Sequence, residues 1–118
     1  MEPSQKDAFE DCETALAIVI DVADIVVTFD DRLSLEPHPE DGQLRLRFRN
    51  GAHQETLLTH VSRADAEIVV RQQAERRDDW RVVYQGPLDK RELRAAMNLA
   101  FATWYREAVA NIGRRRNP

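Results

Sequence analysis

Hydrophobic residues recur with helical spacing at both ends of the chain and with two-residue spacing between them. Towards the C-terminus, Leu93, Met97, Ala100, Phe101, Trp104, Ala108 and Ile112 form one stripe. Asp89 stands where an N-cap belongs, Glu92 is its capping-box partner, and Leu88 with Leu93 occupy the hydrophobic-staple positions. Gly113 is placed as a stop, and Arg114, Arg115 and Arg116 follow where cations suit the helix dipole. The pattern predicts a helix over residues 89–112. Near the N-terminus, Phe9, Cys12, Leu16, Val19, Ile20 and Ala23 share a face, and Ser4 with Asp7 offers a cap. These predict a helix over 4–22. The β-branched run Ile25-Val26-Val27-Thr28-Phe29 suits a strand as well as a helix, so 23–30 is open to either.

Shorter extended pieces fill the middle. Arg32-Leu33-Ser34-Leu35-Glu36 alternates, and Pro37 to Gly42 is rich in turn formers. Leu44, Leu46 and Phe48 then alternate with Arg45, Arg47 and Arg49, the strongest strand signature in the chain. Asn50-Gly51 signals a hairpin, with a return strand within 53–61 whose alternation Leu57-Leu58 interrupts. Ser62 and Asp65 can cap a helix over 63–77, followed by a strand over 80–85. In a rival arrangement Ile68-Val69-Val70 is a strand hairpinned to residues 80–84; the helix is the expectation. The predicted architecture is α+β: a small, mainly antiparallel sheet flanked by a long N-terminal helix, a middle helix and a long C-terminal helix. It forms a single domain over 1–118, with 1–3 and 114–118 frayed.

Composition narrows the class. A chain of 118 residues, 42% hydrophobic and 32% charged, has room for one modest core and is too apolar for wholesale disorder. The apolar run from Ala15 to Phe29 carries Asp21 and Asp24, which makes it too short and too charged to cross a bilayer. A lone Cys12 excludes an internal disulfide and a four-thiolate zinc site, and the polar, acidic N-terminus is unlike a secretory signal. A reducing, cytoplasmic setting is expected. The net charge of −4 hides a division: residues 1–41 carry a net −10 and residues 42–118 a net +6. Such asymmetry points to charged partners, or to two segments that neutralise each other.

Candidate chemistry is sparse. Cys12 lies on the apolar face of the first helix beside Glu10, Asp11 and Glu13, which disfavour a thiolate; a buried structural thiol is expected there. His38, His53 and His60 lack the helical pairing of a zinc site, although folding could bring His53 and Glu55 near His60 or Asp41. Neither a nucleophile elbow nor a phosphate-binding glycine loop occurs. No catalytic residue, metal site or cofactor is therefore assigned.

Two charged constellations remain. Asp21, Asp24, Asp30 and Asp31 offer an acidic surface for a basic partner, unless they are only the solvated face of an amphipathic helix. Arg45, Arg47 and Arg49 share one sheet face, where they suit phosphates or carboxylates unless Glu55 or the acidic segment neutralises them. Most aromatic residues belong to the core, and two long helices on a small sheet leave apolar surface that suits a homodimer.

In element order alone, the chain resembles the small acidic dimeric chaperones that escort secreted bacterial effectors, and it is similar to cytosolic immunity proteins of toxin–antitoxin pairs. The resemblance implies a non-catalytic protein-binding module of chaperone, inhibitor or immunity type. The expected partner is a basic protein, held by the acidic surface and with no role for a membrane. The alternative is a nucleic-acid or anion-binding regulator that uses the arginine-lined strand, although overall acidity disfavours nucleic acid.

Overall fold

The computed structural model of the chain describes residues 5–74 and 79–116, with side chains over 11–74 and 79–113. The described elements are α1 (Gln5–Val27), β1 (Leu33–His38), a 3-10 turn (Pro39–Asp41), β2 (Gln43–Asn50), β3 (His53–Ala64), β4 (Glu67–Ala74), β5 (Arg81–Gly86) and α2 (Lys90–Arg116). The strands form one antiparallel sheet in the order β1-β2-β3-β4-β5.

One-sided burial explains this arrangement. Leu44, Leu46 and Phe48 of β2 turn to the same side as Leu57 and Val61 of β3 and Ile68 and Val70 of β4. There they meet Ala15, Val19 and Val22 of α1 and Leu93, Met97, Phe101 and Trp104 of α2 in a single core. Both helices therefore lie on one face of the sheet, and among the described residues no element covers the other. Leu57 and Leu58, which interrupt the alternation in sequence, point to the core and to the uncovered face respectively.

The expected middle helix is corrected. Residues 63–74 form the end of β3, a turn and β4, and 75–77 lie outside the described residues. The described architecture is α+β with two helices, not three. Ile68, Val69 and Val70 are all buried, and all are β-branched residues that suit a pleated surface. Asp65, read in sequence as a capping residue, takes a left-handed φ of 57° in the β3–β4 turn, a conformation that Asp tolerates better than most residues. The strand arrangement of Ile68–Val70 is the one found, with Val70 opposite Tyr84. The element order behind the resemblance to effector chaperones and immunity proteins included that helix, so it is not the order of this chain.

The other boundaries move for local reasons. α1 continues to Val27 because Val22 and Ala23 are buried and Val26 and Val27 pack against the core. It closes with Thr28 N donating to Ile25 O at 3.1 Å and Phe29 N to Val26 O at 3.1 Å. Ser4, its expected cap, lies outside the described residues. Asp89 does cap α2: Glu92 N donates to its Oδ1 at 3.0 Å. Gly113 does not end α2, which runs on to Arg116; its φ is not left-handed, so it makes no C-cap.

Candidate functional site

The uncovered sheet face is built by alternation. Arg45 stands between Glu36 and Leu58, Arg47 between Ser34 and Thr56, and Arg49 opposite Gln54. His60 lies between Gln43 and Arg71, and Arg71 opposite Val82. His60 meets Trp80 edge-on with ring centroids 6.2 Å apart, and Trp80 and Val82 are exposed. The result is a flat surface with four guanidinium groups, two carboxylates (Glu36 and Glu67) and a minority of apolar side chains.

The arginines of β2 are weakly engaged within the chain. Arg45 Nη1 is 3.7 Å from Glu36 Oε2, and Arg49 Nη2 donates to Gln54 Oε1 at 3.3 Å. Arg47 Nε is buried and has no hydrogen-bond partner among the described residues. A buried donor left unmade costs about 1–3 kcal/mol, so an acceptor arriving here gains more than one arriving at a hydrated side chain. Arg45 and Arg47 line a shallow depression with Gln54, Thr56, Leu58 and Gln73. Alternate residues of a strand lie about 6.6 Å apart, so the row presents successive forks at that interval.

The four predicted acidic residues do not act together. Asp21 Oδ2 pairs with Arg94 Nη2 of α2 at 2.8 Å. Asp24 and Asp31 are exposed and make no ion pair among the described residues. Asp30 is engaged within the fold. It accepts from Arg32 N at 2.9 Å, Arg32 Nε at 3.0 Å and Arg32 Nη2 at 2.8 Å, and from the Tyr105 hydroxyl. Arg32 holds the Asp30 carboxyl far below the usual carboxylate range, outweighing the desolvation that opposes it, and Tyr105 and the backbone N–H assist. The same bond to Asp30 raises the Tyr105 hydroxyl above its ordinary value. The Arg32 guanidinium lies over the Phe48 ring at 4.9 Å, which ties the α1–β1 connection and α2 to the sheet.

The histidines separate. His53 turns towards the helices, with Nε2 2.8 Å from Glu55 Oε2, and Asn111 Nδ2 donates to Glu55 Oε1 at 3.0 Å. His60 lies on the opposite face, so the gathering of His53, His60 and a carboxylate does not form. His38 remains beside Glu36, 3.8 Å away. Among the described residues no three of His, Cys, Asp and Glu gather as a metal site. Cys12 is half-buried; burial raises its thiol and Asp11 adds to the rise, while Arg63 opposes both.

Tyr105, Arg32 and Asn111 went unseen in the sequence as members of polar networks. Only Asp30 two residues before Arg32 hints at one, as a side-chain-to-backbone turn. Trp80 is on the open face, an exposed aromatic beside the mostly buried others. No described helix is long and apolar enough to cross a membrane. Protein-family models, curated proteins and solved structures contain no match to the chain.

Proposed function

We propose that the chain is a non-catalytic binding domain that holds an acidic segment of a partner protein on its open sheet face. The observation that carries this is the row of Arg45, Arg47 and Arg49 on a face that nothing among the described residues covers, with Arg47 Nε buried and without a hydrogen-bond partner among them. Two features favour protein over nucleic acid. Arginine, tryptophan, leucine and amide side chains are interspersed there, the mixture typical of a protein interface. A net charge of −4 lacks the dominant basic footprint of nucleic-acid-binding domains. The expected basic partner for the four aspartates is less well supported, because Asp30 is fully engaged inside the fold and Asp21 is paired.

The test is fluorescence anisotropy of a labelled oligo-glutamate peptide, with an oligothymidylate of equal charge alongside. The peptide binds at low salt, and the triple variant R45A/R47A/R49A weakens it about tenfold or more, at roughly 0.5 kcal/mol per exposed charge contact. Peptide affinity unchanged in the variant overturns the proposal. Tighter binding of the oligothymidylate through the same arginines overturns the choice of protein.

A further inference from the structure

The open sheet face is divided in its chemistry. Its β2 side carries the guanidinium row, and its β5 side carries apolar surface. Trp80 is 40% exposed and Val82 47%, whereas Trp104, the other tryptophan, is 6% exposed in the core. The remaining exposed large apolar side chains among the described residues, Ile25, Phe29, Leu99 and Val109, belong to the helices or follow the end of α1.

The two parts of the face meet. The Trp80 ring stands edge-on to His60, and His60 belongs to β3, two strands in from β5. The ring is therefore folded back over the face towards the arginines instead of hanging off the edge of the sheet. Leu58, two residues before His60 and on the same side of β3, is half-buried and lies directly beside Arg45. Val82, Trp80, His60 and Leu58 thus lead from the edge strand to the row.

Distance decides what can occupy both parts at once. β2 and β5 are three strand spacings apart, about 14 Å, which four residues of extended chain cover at about 3.4 Å each. Because Trp80 reaches in towards β3, about two residues already bring a side chain to the near end of the apolar surface. A carboxylate on Arg47 and an apolar side chain on Trp80 therefore belong to one short segment. Arginine and tryptophan are also the side chains on which binding energy concentrates once a partner closes over them. We infer, resting on the acidic-segment reading above, that the segment carries a large apolar residue two to four positions from its acidic residues, seated on Trp80 and Val82.

The experiment is fluorescence anisotropy of the full chain with two labelled peptides: oligo-glutamate, and oligo-glutamate joined to two leucines through three glycine or serine residues. The leucines are placed at either end in turn, which covers both directions across the face. The leucine tail tightens binding to wild type about tenfold. W80A/V82S, shown to be folded by circular dichroism, loses that gain and keeps its affinity for plain oligo-glutamate. Val82→Ser alone, at an exposed edge position, loses about threefold of the gain and serves if the double variant does not fold. Plain oligo-glutamate that binds with no gain from the tail, or a gain that survives W80A/V82S, overturns this inference and leaves the acidic-segment reading standing. Plain oligo-glutamate that does not bind overturns that reading and this inference with it. Two further results overturn the inference by giving the patch another occupant. One is an oligothymidylate that binds more tightly than the tailed peptide and loses that advantage in W80A/V82S, which makes Trp80 a platform for a base. The other is a peptide-free chain that runs as a dimer by light scattering and as a monomer in W80A/V82S.

Discussion

Asp30→Asn tests whether the polar clamp between the α1–β1 connection and α2 stabilises the fold as an ionised group. The carboxylate accepts four bonds from three donors of Arg32 and one from Tyr105, with its side chain only 9% exposed. Asparagine keeps the shape and can still accept from the Arg32 backbone, but it removes the charge and turns an amide towards the guanidinium. A hydrogen bond to a charged group contributes about 1.5–3 kcal/mol, and solvent around the Arg32 side of the pair screens its share. The expected loss near neutral pH is about 2 kcal/mol, or about 8 °C in Tm for a domain of this size. The pH dependence has a definite sign. The folded pKa of Asp30 is depressed, so its stabilisation is complete above the unfolded value of about 3.9 and disappears as pH falls through that value towards the folded one. Urea unfolding at neutral pH, at about pH 5 and at about pH 3 should show the wild-type advantage intact at the first two and shrinking at the third. Tyr105→Phe leaves Arg32 in place and costs about 1 kcal/mol. A difference below about 0.5 kcal/mol at neutral pH, or one equal at all three pH values, refutes the ionised clamp.

Gly42→Ala should destabilise by about 2–3 kcal/mol in the same unfolding assay, because the position combines a left-handed φ of 65° with a Cβ 2.8 Å from the Val61 carbonyl oxygen. The chain cannot easily shift there, since Val61 N donates to Gly42 O at 2.8 Å. A loss under about 0.5 kcal/mol contradicts that reasoning. Cys12, its thiol raised by burial, should react with iodoacetamide more slowly than free cysteine at neutral pH, with the rate climbing only in alkaline solution. A rate at neutral pH equal to or above that of free cysteine shows that burial does not govern the thiol.

Legibility in the sequence followed the range of the forces involved. β2 and α2 were readable because each has one dry face and one wet face, and Asp89 caps α2 with a bond three residues long. The β4 strand was not, because Val69 is buried on the face opposite Ile68 and Val70, which erases the alternation. Ser62 and Asp65 then mimicked a cap where Ser62 in fact lies within β3 and donates to Val69 O. The end of α1 turned on tertiary cover: Val26 and Val27 are helical because the core receives them, against their β preference. The arginine row was evident from period two alone. That nothing covers it depends on both helices choosing the other face, and the Asp30–Tyr105 bond joins residues 75 apart, so neither was visible in any local window.

The open face is tested most directly by following backbone amides of the nitrogen-15-labelled chain by NMR as the oligo-glutamate peptide is added. The largest shift changes should fall on Arg45, Arg47, Arg49, Leu58 and His60, with the Arg47 Nε–H signal moving as its empty donor is filled. Changes concentrated on Asp21, Asp24 and Arg94 of the helical layer, or no changes at low salt, contradict the binding function proposed for the sheet.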